Sequence, residues 1–170
     1  MSDFATVEAQ IRQLYADYAD AVWRQDTEAF GACFTDDAEW RISGRVLAGR
    51  AQITAGIGAI FTDMKRVLMT FGTPLLTVSG EQEAEGRVYV TEHCAWHSRG
   101  PNINIGRYFD RYVPSGDRWR FSWRMFQLLY TGPPNLSGTF FDQPDFGAPP
   151  GMPPLDEVPP DLTRRAWAES

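Results

Sequence analysis

The sequence predicts an α+β fold in which a curved, mixed or antiparallel sheet wraps around three N-terminal helices and encloses a cavity. Three observations predict it. Apolar residues near the N-terminus recur at spacings of three and four, as on one face of a helix. From Val67 onward, four long β-type segments follow one another with short turns, which implies an antiparallel meander with the helices to one side. After Tyr130 the composition changes abruptly, and residues 131–170 hold nine of the twelve prolines.

Each element has its own signal. Val7, Ile11, Leu14, Tyr15, Tyr18 and Val22 mark the buried face of a first helix, with Asp17, Asp20 and Arg24 on the solvated side. Thr27–Phe34 forms a short second helix that buries Phe30 and Phe34. Thr35, Asp36 and Asp37 are turn residues. Ala38–Ile42 starts a strand, and Ser43-Gly44-Arg45 turns it toward Val46 and Leu47. Gly49–Phe61 carries helical apolar positions at Ile53, Ile57, Ile60 and Phe61. The four long strands are then Val67–Ser79, Ala84–Ser98, Ile103–Val113 and Trp119–Tyr130, with turns at Gly80–Glu83, Arg99–Asn102 and Pro114–Arg118.

Composition narrows the function. A chain of 170 residues with 43 % apolar and 14 % aromatic residues forms one well-filled domain, expected over residues 1–130. A net charge of −6 argues against nucleic acid, whose phosphates need a basic face. Met1–Val7 does not read as a signal peptide and no 18-residue apolar run occurs, so a cytoplasmic protein without a membrane contact is expected. Cys33 and Cys94 make neither a disulfide framework nor a metal motif and read as small buried residues. The proline-rich residues 131–170 still carry Phe140, Phe141, Phe146, Met152 and Trp167. This extension is expected to pack on the domain, over the cavity mouth, or on a neighbouring subunit.

Three segments together resemble the NTF2-like (SnoaL-like) superfamily: Leu14–Trp40 with its FTDDAEW ending, Thr70–Pro74 (TFGTP), and Gly106–Arg124 (GRYFDRYVPSGDRWRFSWR). The resemblance implies a cone-shaped fold with a small-molecule cavity, self-association as a homodimer or homotrimer, and no cofactor. The most similar functional pattern is that of the hexachlorocyclohexane dehydrochlorinases, with the scytalone dehydratases further off. There a His–Asp dyad removes a proton while Lys and Arg assist the leaving group. On that alignment Trp23 stands at the Asp, Tyr18 at the Lys and Thr70 at the His. The Arg is kept as Arg124, with Tyr108 and Asp110 on the preceding strand. The usual dyad is therefore absent, and Trp23 in the cavity rests on the resemblance alone.

The remaining chemistry is read from the residues. Strand alternation puts Tyr89, Thr91, His93, Ala95 and His97 on one face. His93 is the candidate general base there, since an imidazole titrates near neutrality. His93 and His97 lie about 13 Å apart on a strand, too far to chelate one zinc ion, so no metal is expected. Arg124 sits in an apolar strand and needs a partner. Asp110 on the adjacent strand is the natural one, and the arginine could stabilise a developing oxyanion. Tyr18 could relay a proton. Trp23, Thr70, Phe71, Tyr89, Thr91 and Tyr108 are candidate substrate contacts. Trp96 and Phe109 are further aromatic walls if they face inward, although Phe109 and Tyr108 have opposite parity.

The resulting expectation is a cofactor-independent lyase acting by acid/base elimination on a small hydrophobic, aromatic molecule. By analogy within the superfamily, that substrate could be a lignin-derived diarylpropane losing formaldehyde. The alternatives are a dehydratase or isomerase of a steroid-like or polyketide ring, and a non-catalytic binder of hydrophobic ligands.

Overall fold

The computed structural model describes residues 4–80, 82–141, 146 and 149–151. Three helices come first in an α+β arrangement: α1 (Phe4–Arg24), α2 (Thr27–Ala32) and α3 (Arg50–Phe61). β1 (Phe34–Ile42) and β2 (Arg45–Ala48) lie between α2 and α3. β3 (Met64–Phe71), β4 (Leu75–Val78), β5 (Ala84–Trp96), β6 (Asn102–Ser115), β7 (Arg118–Gly132) and β8 (Thr139–Phe140) follow. The eight strands form one mixed sheet in the order β2-β1-β7-β6-β5-β3, with β4 on β5 and β8 on β7. Only the β1–β7 pair is parallel.

The helices form where the apolar period predicts, except that α2 stops at Ala32, and Phe34 with the expected turn residues Thr35, Asp36 and Asp37 lies in β1. Val7, Ile11, Leu14, Tyr15, Tyr18, Ala21 and Val22 are the buried residues of α1, which lies against the sheet. Asp26 caps α2 by accepting the Ala29 N–H at 2.9 Å, satisfying one of the free donors of the first turn. Ser43 and Gly44 both have positive φ, the requirement of a two-residue hairpin turn between twisted strands.

The long segment Val67–Ser79 is two strands rather than one. Both pair with β5, but Phe71 faces Val90 while Leu75 faces Arg87, so three residues on one side oppose two on the other. Pro74 lies in that break, where its missing N–H costs no ladder bond. β7 also runs past Tyr130 to Gly132, and β8 adds a final pair to it, so the sheet continues ten residues beyond the expected boundary.

The described part of the extension touches both faces: Thr131 lines the cavity and Phe141 packs on the main core, whereas residues further on meet the outer face of the sheet. Phe146 packs on Phe109, Trp123 and Met125, which form a cluster separate from the main core. The Arg41 guanidinium is 6.0 Å from the Phe146 ring, and the Arg111 guanidinium donates to the Pro150 carbonyl. Met152 and Trp167 lie outside the described residues.

Candidate active site

The inner face of the sheet, with α1 and α3, encloses a cavity of about 1070 Å³. Its walls are largely apolar: Val22, Trp40, Ile57, Met64, Val67, Met69, Phe126 and Leu128. Gly106 makes one wall possible. A Cβ there would fall 2.3 Å from the Phe126 ring, so only glycine lets that ring lie across β6.

Polar groups enter at three places. Glu92 on β5 faces into the cavity, and Tyr18 and Tyr108 line it from α1 and β6. Trp96, Asn102, Asn104 and Thr131 form a hydrogen-bonded wall. At the mouth stand Arg45, Arg99 and Asp63. The Asp63 carboxylate accepts the Ser98 hydroxyl at 2.6 Å and its N–H at 2.9 Å, which holds its pKa below the ordinary aspartate value. The Arg99 guanidinium stacks 4.0 Å from the Trp96 ring.

Burial raises the Glu92 pKa. The Asn104 amide, donating at 3.0 Å, and the Arg124 charge pull it partly back. A carboxylate whose pKa is raised by burial is a stronger proton acceptor than an ordinary one. Burial also raises the tyrosine pKa values, while the Arg124 charge opposes the rise in both Tyr18 and Tyr108. Both tyrosines therefore start as neutral hydroxyls with a cation behind them.

That cation is sealed off from the cavity. Arg124 is fully buried in an aromatic cage, its guanidinium 3.7 Å from the Tyr108 ring centre, 4.1 Å from Phe121 and 4.3 Å from Tyr18. Arg124 Nε lies 3.1 Å from Asp110 Oδ1. Asp110 Oδ2 accepts the Tyr15 hydroxyl at 2.7 Å, and the Tyr112 hydroxyl lies 2.5 Å from that of Tyr15. Burial pushes Asp110 up to about 6 against the opposing pull of Arg124, Tyr15 and Tyr112. Burial alone would lower the Arg124 pKa, but Asp110 together with Tyr18, Tyr108 and Tyr15 more than offsets it, and Arg124 stays protonated.

A β-bulge decides where Arg124 points. Tyr112 pairs with Phe121 and Arg111 with Trp123, so Ser122 is an extra residue in β7. Strict alternation from Trp119 and Phe121 would turn Arg124 outward. The bulge switches parity and sets it inside, directly opposite Asp110.

The expected site is therefore redrawn. His93 is exposed on the outer face of β5, because the inward set on that strand is Val88, Val90, Glu92, Cys94 and Trp96. Tyr89 is 46 % exposed, and Thr91 shares its outward parity. Trp23 is 45 % exposed at the end of α1, with the Arg66 guanidinium 5.8 Å from its ring, so the aligned position does not enter the cavity. Thr70 is exposed, and Phe71 packs in the core against Tyr15 at 4.9 Å instead of lining the cavity. Phe109 faces outward, as its parity against Tyr108 requires, whereas Trp96 lines the cavity. Of the expected catalytic and substrate contacts, Tyr18 and Tyr108 reach the cavity surface, and Arg124 with Asp110 lies directly behind them. Glu92, Asn102, Asn104 and Thr131 were not anticipated. The signal for Glu92 was one acid in the otherwise apolar alternation from Val88 to Trp96.

The model of the SnoaL-like domain matches residues 4–125, and the chain belongs to that family. No curated protein matches the sequence significantly. Among solved structures, a Novosphingobium aromaticivorans protein described provisionally as a scytalone dehydratase superimposes with a TM-score of 0.70 at 20 % identity, covering 85 % of this chain and 93 % of that one. Rv3472 of Mycobacterium tuberculosis, whose function is unknown, gives a TM-score of 0.64 at 27 % identity over 71 % and 74 % of the two chains. The type-3 hexachlorocyclohexane dehydrochlorinase LinA of Novosphingobium barchaimii gives 0.67 at 19 % identity over 80 % and 94 %.

Proposed function

Taking the chain as a member of the SnoaL-like domain family, we propose that it is a cofactor-independent lyase of the dehydratase type, with Glu92 as its proton acceptor. The observation that carries this reading is the Glu92 carboxylate on an apolar-rich cavity wall, its pKa raised by burial, in the company of two neutral tyrosines. Structural neighbours named as a dehydratase and a dehydrochlorinase fit an elimination on this scaffold.

Glu92 takes a proton from the ligand. The electron pair left behind forms a carbon–carbon double bond and expels a hydroxyl group from the adjacent carbon. Tyr108 or Tyr18 gives its proton to that oxygen, so water leaves, and the tyrosinate recovers the proton from Glu92. The buried Arg124 charge favours the transient tyrosinate through the ring wall, a positioning and electrostatic role without ligand contact.

Trp40, Trp96, Phe126 and the two tyrosines suit an aromatic ligand, and the volume accommodates two rings. A diarylpropane diol of the lignin-derived kind would use the same groups. Glu92 would then take the hydroxymethyl O–H proton, the carbon–carbon bond would break to release formaldehyde, and the second hydroxyl would leave as water. Steroid-like and polyketide rings are the alternative substrates. A panel of diarylpropane diols, aryl β-hydroxy ketones and steroid alcohols, assayed without added cofactor, tests the reading. Turnover by the native chain and a loss of at least about a hundredfold in Glu92→Gln are expected. Tight binding across the panel with no turnover would assign the protein to ligand binding instead.

A further inference from the structure

The polar wall beside Glu92 is a hydrogen-bond chain with one direction. Trp96 Nε1 donates to Asn102 Oδ1 at 2.7 Å. Asn102 Nδ2 donates to Asn104 Oδ1 at 2.8 Å, and Asn104 Nδ2 donates to Glu92 Oε2 at 3.0 Å. Thr131 braces the middle, its hydroxyl donating to Asn104 Oδ1 at 2.8 Å and accepting from Asn102 Nδ2 at 3.1 Å.

The chemistry of the two ends fixes the direction. An indole nitrogen only donates, and an ionised carboxylate only accepts. Each amide between them must therefore turn its carbonyl toward Trp96 and its NH2 toward Glu92. Flipping Asn104 would set its oxygen against the carboxylate and its NH2 against the Asn102 NH2. Flipping Asn102 would set NH2 against the indole N–H. The orientation of the Asn104 donor thus follows from a tryptophan two residues along the chain of bonds.

Resting on the reading of Glu92 as proton acceptor, we propose that Asn104 is a positioning residue. Oriented by Trp96 through Asn102 and braced by Thr131, it pins Glu92 Oε2 to the sheet and leaves Oε1 as the oxygen presented to the ligand. Among the described residues Oε1 has no hydrogen-bond partner, and it is not among the sealed polar atoms. No other side chain among the described residues hydrogen-bonds the carboxylate. Tyr18 of α1, Tyr108 of β6 and Arg124 of β7 act on it through charge alone, Met69 of β3 is apolar, and Cys94 shares its strand. Asn104 is also the hydrogen bond that offsets burial in the Glu92 titration. Thr131 reaches the wall because a second bulge in β7, at Leu129, shifts the register from Gly106–Leu128 to Ile105–Tyr130.

The test titrates Glu92 directly, by carbon-detected NMR of protein labelled at the glutamate carboxyl carbon, with Glu92→Gln identifying the resonance. Asn104→Leu should raise the Glu92 midpoint by about one pH unit, a tenfold gain in proton affinity, since a hydrogen bond to a charged group is lost. Trp96→Phe keeps a ring and removes only the donor, so it should move the midpoint the same way by a smaller amount. It also carries the test if Asn104→Leu fails to fold. A midpoint that does not move in the folded variants overturns the proposal. The acid limb of the pH–rate profile should shift with the midpoint. A midpoint that moves while the limb stays fixed upholds the chain of bonds and removes Glu92 from the catalytic step.

Discussion

Asp110 and Glu92 are two carboxylates under one sheet, the first fully buried and the second half-buried on the cavity wall, and desolvation raises the pKa of both. Their surroundings differ. Asp110 has a guanidinium at 3.1 Å, two tyrosine hydroxyls and no opening to the cavity. Glu92 has one neutral amide and a face on the cavity. A charge that is ion-paired and shut off from the cavity holds a structure together, because removing either partner leaves the other stranded. A charge that faces the cavity can still react. The difference separates scaffold from chemistry more sharply than residue type does.

The largest effect is expected from Glu92→Gln, which should cut turnover by at least about a hundredfold, read as kcat/KM, while leaving the fold intact. Asp110→Asn or Arg124→Met should each cost about 3–5 kcal/mol of stability, measured by denaturant unfolding, because each strands a buried group. The double variant Asp110→Asn with Arg124→Met should lose less than the two single losses combined. Full additivity would mean that the two groups do not act as a pair.

A smaller effect separates the two acids by pH. Because the folded-state pKa of Glu92 is raised, its contribution to stability is present below the unfolded value and is lost as pH rises through the folded one. Glu92→Gln should therefore be more stable than the native chain at pH 7, with the difference closing toward about pH 4. A variant that is less stable at pH 7 would place Glu92 with the scaffold. The smallest effects belong to Trp23→Ala and His93→Ala. Both side chains are exposed, so changes within about 0.5 kcal/mol and unaltered turnover are expected, by calorimetry and by assay.

Local periodicity and turn chemistry sufficed for the helix faces and the meander. The need of a buried charge for a counter-charge named Asp110 as the partner for Arg124, without showing how Arg124 comes to face it. The turn residues also placed the hairpins. The inward-facing side of β5 could not be read from His93, Tyr89 and Thr91, since alternation defines two faces without saying which one is covered. The parity was legible only in the apolar neighbours Val88, Val90 and Cys94, which put Glu92 inside. Trp23 was placed by alignment to a relative, and alignment carries no information about which way the last turn of a helix points.

Tertiary structure decided the rest through two extra residues. The bulges at Ser122 and Leu129 each reverse the parity of β7, turning Arg124 toward Asp110 and Thr131 toward Asn104. A period-2 pattern read along the chain cannot reveal them, because a bulge exists only in the register between two strands. The residue types were fixed by the chain, and the faces they occupy were fixed by pairing.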